Sequence, residues 1–582
     1  MTTASSGTPG APGGADPDLG KLARGGALNL VGAMCAGLMG FVLIVAVVRT
    51  YDQALAGAFF AATSLFLILN AVSGLGSDAG LLRWVPHHLA RGERTNARRT
   101  VPIALVPVLA TACLAGLVMV VTAPWFAELV HGDAPGETTS MLRVLGLFLP
   151  AAAAQDALLA ATRGHGSMRP TVLVDKIFRQ VAQVGGVLVA YAVSGDATAL
   201  ALAWSLPYVP GVLIAAVLYR GLARRAGRGG TPAPVRELAG PFWRFTAPRS
   251  LAQICQTALQ RSDIVLIAAL ASPRDAAIYT AATRFIVFGQ LAAQSLQQVM
   301  QPAVSRHMAM DDVAGAQRVM AVGTTWTVAV TWPLYLTLAA GAHVFLMVFS
   351  PEYAAEGRST TIVLALTMLL ATAVGPADVV LLMAGRSGLS LGNNAAALVV
   401  NMVLNVVLIP LFGVPGAAAA RAAALGTRNV LPLLQIRRIL HISPTGAGLW
   451  RSIAYAVICF GMLPVCVQAA LGTTVPALVL GVALGTAGYA VLLWTGRERL
   501  SLTAFKALLR RRGAGRGPAA PSTPAERTVP PMDERTPRPP ARAGGAFPAG
   551  AFPEGAPPDR TVPDRVPPDR VPPDRTLPDR PR

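Results

Sequence analysis

Several charged residues stand inside long apolar runs of this chain: Asp156, Lys176 and Arg179, then Arg261, Asp263, Arg284 and Asp378. A charge at bilayer depth is costly and faces a partner, water or a ligand. Arginine matches the geometry of phosphate, and an unpaired acid in low dielectric can exchange protons. Asp263 and Arg284 lie on either side of the short connection 271–276. Each is about seven residues from its centre, ~10 Å at the helical rise. Equal depth predicts an ion pair across this hairpin. Arg261, two residues from Asp263, points elsewhere and has no equal-depth acid in the hairpin, so it is a candidate for an anionic ligand or a snorkelling side chain. Gln253, Gln256 and Gln260 precede it, and Gln290, Gln294, Gln297, Gln298 and Gln301 follow on the next run. Two such stripes suit a hydrated cavity wall or interhelical amide bonding. Asp156 has an equal-depth base in Lys176, with Arg179 one turn away. Asp378 has no mirror base and follows Gly375-Pro376, a helix break. It is a candidate for proton or cation coupling, for bonding to Asn393 or Asn394, or for pairing with Arg421 or Arg428. Asp263 and Asp156 are the other coupling candidates. Arg83, at the end of its run beside Asp78, can meet an anionic group or reach for lipid headgroups.

The elements that carry these residues are apolar stretches long enough to span a bilayer. About fourteen occur, approximately at 27–48, 55–76, 101–122, 143–162, 171–193, 199–219, 248–270, 277–300, 319–341, 359–384, 389–411, 416–436, 449–471 and 475–495. They lack strand alternation, so an all-α polytopic membrane protein is expected. Segments 83–100, 163–179 and 220–249 are rich in arginine, whereas 124–142 has no Lys or Arg and carries Glu128, Asp133 and Glu137. The positive-inside rule then puts the basic loops and both termini in the cytoplasm.

The net charge of +20 is spread over loops and a tail without aromatic interleaving, which argues against a nucleic-acid partner. Cys35, Cys113, Cys255, Cys459 and Cys466 all fall within expected spans and have no metal-ligand spacing. No metal, cofactor or enzyme activity is expected. No cytoplasmic loop carries a metal-binding acid pair, no Gly-rich phosphate loop occurs, and the longest internal loop, about thirty residues, is too short for a soluble catalytic domain.

The ends differ in kind. Residues 1–26 read as a disordered N-terminus without the apolar stretch of a cleavable signal, and 513–582 as a disordered Pro/Arg-rich tail with recurring Asp-Arg. Residues 496–512 form a basic juxtamembrane segment that suits the anionic inner leaflet.

The chain also repeats itself weakly. The run Ala58-Phe-Phe-Ala-Ala-Thr-Ser-Leu-Phe66 resembles Ala277-Ile-Tyr-Thr-Ala-Ala-Thr-Arg-Phe285, His88 sits like His307, and Asp156–Gly164 resembles Asp378–Arg386. The offset stays near 220 residues, so six helices separate equivalents and the repeat is parallel. Bundles at 27–219 and 248–436, a loop at 220–247 and two extra helices at 449–495 follow. This plan, with Gly76-Ser-Asp-Ala-Gly-Leu-Leu-Arg-Trp84 and Ala161-Thr-Arg-Gly-His-Gly-Ser-Met-Arg-Pro170, resembles the polysaccharide (O-antigen type) flippases of the multidrug/oligosaccharidyl-lipid/polysaccharide exporter superfamily. The resemblance covers about 27–495. It implies movement of a polyprenyl-diphosphate-linked glycan across the cytoplasmic membrane, with the bilayer and that lipid as partners, and it admits polysaccharide-assembly proteins. Arg261, Arg284, Gln253, Gln290, Gln294 and Arg83 are then the substrate-binding candidates. A drug/cation antiporter, a lipid II flippase and a scaffold working through its tail are the alternatives.

Overall fold

The computed structural model describes residues 17–130, 135–441, 443 and 446–496. Among them every regular element is helical. The first part runs α1 (Pro17–Thr50), α2 (Gln53–Ser73), α3 (Ser77–Ala90), α4 (Arg94–Leu129) and α5 (Pro135–Gly164), then a π-helical stretch Thr171–Phe178 leading into α6 (Arg179–Val193), α7 (Ala197–Ser205) and α8 (Tyr208–Ala226). The second runs α9 (Val235–Leu270), α10 (Pro273–Arg284), α11 (Ile286–Ala309), α12 (Val313–Ala340), α13 (Ala342–Leu346), α14 (Pro351–Ala373), α15 (Ala377–Met383) and α16 (Ser387–Ile439). Helices α17 (Ala447–Ala456), α18 (Leu463–Leu471) and α19 (Val475–Thr495) close it.

Local chemistry sets the boundaries. The Asp52 carboxylate accepts from the Ala54 and Leu55 amides, both at 3.1 Å, and caps α2. Ser272 and Pro273 open α10, with the Ser272 hydroxyl accepting from the Asp275 amide at 3.1 Å. Asp312 caps α12 by accepting from the Gly315 amide at 2.7 Å. Each supplies a partner for amides that the first helical turn leaves open.

Among the described residues ten helices are long and apolar enough to cross a membrane, or eleven when α10 and α11, bent by 42°, are taken as one span. The fourteen expected stretches are all helical, but they do not map one to one onto these. Helix α16 holds two of them, 389–411 and 416–436, on either side of a kink at Gly413 (φ 59°). The stretch 359–384 breaks at Gly375 and Pro376, between α14 and α15, where the sequence predicts a break. Stretch 171–193 carries Asp175, Lys176 and Arg179, and 248–270 carries Arg249, Arg261 and Asp263, which makes both too polar to pass on apolarity alone. Part of the expected loop 83–100 is helix α3, set off from α2 by left-handed backbone at Leu75 and Gly76.

The repeat is visible in the backbone. Left-handed residues recur about 220 positions apart, as Gly92 with Asp311, Gly166 with Gly385, and Gly195 with Gly413. His88 Nδ1 lies 2.8 Å from Glu93 and His307 Nδ1 lies 2.9 Å from Asp312, two clasps with the same spacing.

Outward faces are apolar: Leu147 is 75% and Val193 80% exposed, as lipid-facing residues are. Inside, small residues let helices approach. A Cβ on Gly57 would collide with the Pro273 carbonyl, which locks α2 against the start of α10. Gly116 and Gly146 likewise bring α4 and α5 into backbone contact.

Candidate functional site

Helix α9 lies in contact with α2, α10 and α16 and carries the central charges. Arg261 and Asp263 are two residues apart, about 200° around a helix, so they face different neighbours.

Asp263 is fully buried. Its carboxylate accepts from Tyr279 Oη of α10 at 2.7 Å, from Asn405 Nδ2 at 2.9 Å, and from Arg421 Nη1 at 2.7 Å. Asn405 and Arg421 lie on α16 to either side of the Gly413 kink. Arg421 Nη1 also donates to the Leu259 carbonyl at 3.1 Å. The node therefore ties α9, α10 and both parts of α16 together, and its buried charge is paired and hydrogen-bonded, as such charges must be. The expected pair of Asp263 with Arg284 is not formed. The mirror argument fixes height along the hairpin, while the angle around each helix axis decides the partner, and Arg421 comes from a third element.

Arg284 is thereby left in the cavity. It lines, with Arg261, Phe60, Gln183 and Trp204, a space of about 350 Å³, and with Arg261, Gln260, Gln290 and Arg421 a smaller one of about 100 Å³. Arg261 also borders a third space of about 300 Å³ with Asn70, Asp156, Arg163, Asp175 and Gln253. Among the described residues neither Arg261 nor Arg284 makes an ion pair, and Arg284 Nε is buried without a hydrogen-bond partner. Two guanidinium groups thus face these hollows from α9 and α10, neither of them in an ion pair among the described residues.

The other candidates are placed as follows. Asp156 is exposed to the 300 Å³ space and accepts from Asn70 Nδ2 of α2 at 2.8 Å. Arg179, expected near Asp156, pairs instead with Asp175 one turn earlier at 2.6 Å. Asp378 lines a separate bay of about 220 Å³ with Gln256, Gln260, Gln290, Gln294 and Arg428. Asn393 is engaged with Gln435 in both directions at 2.7 and 2.8 Å, Asn394 donates to the Ser390 carbonyl, and Arg421 belongs to Asp263. Of the partners expected for Asp378 only Arg428 shares its bay, and Asp378 Oδ1 stays unbonded. Arg83 is exposed and its guanidinium lies 4.2 Å over the Phe245 ring, which Arg249 also covers at 3.8 Å. It lines none of these spaces.

Sequence reasoning passed over Asn70, Tyr279, Asn405 and Tyr335. A pair of asparagines at 401 and 405, one turn apart in an apolar run, was a signal for a buried polar node. Among the described residues no group of three or more His, Cys, Asp or Glu side chains is placed to hold a metal ion.

Helices of this length and apolarity, enclosing hollows lined by charge and amide, define a multi-pass membrane protein with a transporter fold. The profile of the family described as polysaccharide biosynthesis protein matches residues 22–308 of this chain. A solved structure described as the lipid II flippase MurJ in an inward closed conformation is similar with a TM-score of 0.61 at 11% identity, over 80% of this chain and 98% of that one. An inward-facing multidrug resistance MATE family transporter of the MOP superfamily is similar with a TM-score of 0.56 at 16% identity, over 72% and 98%. A MOP superfamily transporter from Pyrococcus furiosus, described as having a binding pocket of reverse polarity, gives 0.50 at 16%, over 73% and 95%. At these identities the likeness is one of fold. No curated protein matches the sequence.

Proposed function

We propose that this protein moves a polyprenyl-diphosphate-linked oligosaccharide across the cytoplasmic membrane by alternating access, for cell-surface polysaccharide synthesis. The observation that carries this reading is the unpaired Arg261 and Arg284 lining one hollow between helices of the two repeats and a smaller one within the second repeat. A diphosphate is the part of such a lipid that hydrocarbon rejects most strongly, and guanidinium matches its geometry. The bundles 27–219 and 248–436 are the two bodies that rock about the site, and both termini lie in the cytoplasm on the arginine asymmetry of the loops. A cation antiporter is disfavoured, because free guanidinium groups repel its substrate. Lipid II stays the nearest alternative cargo, since its diphosphate would suit the same pair. Polysaccharide-assembly proteins are the partners this role admits.

The test is depletion of the protein in its host, followed by identification of the accumulating lipid-linked saccharide. A diphosphate-linked oligosaccharide is expected on the inner leaflet, relieved by the wild-type chain and not by Arg261→Ala/Arg284→Ala at equal membrane abundance. Accumulation of lipid II would change the cargo, and no accumulation at all would end the reading.

A further inference from the structure

We infer that the bay beside α15 is a glycan subsite, built for a neutral, hydroxyl-rich sugar attached directly to the diphosphate. The inference rests on the function proposed above and adds where the sugar is held.

The bay adjoins the arginine pair. Gln260 and Gln290 line both it and the small space that Arg261 and Arg284 face. A diphosphate at the arginines therefore places its first sugar at this opening. About half of the lining residues carry groups that donate and accept at once. Gln256, Gln294 and Gln297 complete an amide set to which Thr327 and Asn429 add. Amides and hydroxyls answer sugar hydroxyls in either direction.

Two polar atoms in the bay have no partner. Tyr335 is 1% exposed and its Oη is buried without a hydrogen bond among the described residues. Asp378 Oδ1 is in the same condition. Buried polar atoms are nearly always satisfied, and an orphaned pair lining one hollow is explained by a ligand that supplies the missing bonds. The phenol offers a donor and the carboxylate an acceptor, the complement of one sugar hydroxyl and its neighbour. Gly289 makes room for this arrangement, because a Cβ there would collide with the Tyr335 ring and hydroxyl.

Charge selects the class of sugar. Asp378 and Arg428 both line the bay, so its lining carries no net charge, which suits an uncharged ring. An acidic sugar would have to approach Asp378. The arginine pair, which lacks a counter-charge, is left to the diphosphate.

The experiment uses the full-length protein in lipid nanodiscs and two probes, undecaprenyl diphosphate and undecaprenyl diphosphate carrying one N-acetylglucosamine. The wild-type chain should bind the sugar-bearing lipid about tenfold more tightly than the bare one, the return expected for a few satisfied polar groups. Asp378→Asn and Tyr335→Phe, both near-isosteric, should each erase most of that preference while leaving affinity for the bare lipid unchanged. Arg261→Ala/Arg284→Ala should weaken both probes alike. Equal wild-type affinity for the two lipids overturns the subsite and leaves the diphosphate reading intact. So does a sugar preference that survives both Asp378→Asn and Tyr335→Phe, which would assign Asp378 to ion coupling. Failure of the wild-type chain to bind either lipid overturns the diphosphate reading, and the subsite with it.

Discussion

The node around Asp263 and the hollow around Arg261 are built from the same helix, two residues apart, and treat charge in opposite ways. At Asp263 the carboxylate is fully buried and receives three bonds from three side chains, one of them a guanidinium. At Arg261 and Arg284 the guanidinium groups border open space and no acid answers them. A charge that holds helices together is saturated by its neighbours. A charge that serves a ligand is left unsaturated and given room. The difference turns on Arg421, which takes the acid and so releases Arg284.

The largest expected effect would break that comparison at its root. Exchanging the charges as Asp263→Arg with Arg284→Asp puts a second guanidinium against Arg421 in a buried site. The protein should be absent from the membrane fraction. Recovery of membrane abundance or transport relative to Asp263→Arg alone would restore the hairpin pair and remove the contrast. Next comes Asp263→Asn, which leaves Arg421 buried without a counter-charge. Thermal or denaturant unfolding in detergent should show a loss of about 3–5 kcal/mol, much of it returned when Arg421→Met is added. A single variant as stable as wild type would mean the node holds nothing together.

The smallest effect on stability should come from the cavity side. Arg261→Ala and Arg284→Ala each remove a charge that has no partner, so unfolding should shift by less than about 1 kcal/mol or move towards greater stability. Transport per unit of protein in the membrane should nevertheless collapse, and Arg261→Lys should keep part of it, since a point charge replaces a fork. Normal transport by Arg261→Ala at normal abundance would sink the cavity assignment. A melting temperature that falls as far as that of Asp263→Asn would make Arg261 another structural tie.

The helical plan, the parallel repeat and the presence of charges within apolar helices were legible in the amino-acid order. Each follows from a constant: about 20 apolar residues per span, 1.5 Å of rise per residue, and turn residues recurring at one offset. The clasps His88 with Glu93 and His307 with Asp312 are local and could be read the same way. Partner choice could not. Which side of α9 meets which helix depends on how α10 and the two parts of α16 pack around it. That packing brings Asn405 and Arg421 to Asp263 from more than a hundred residues away. Composition and periodicity determined that this chain is a bundle of membrane helices carrying buried charge. Only the tertiary structure decided which charges are ties and which are free, because height along a helix is set by counting residues and direction around it by its neighbours.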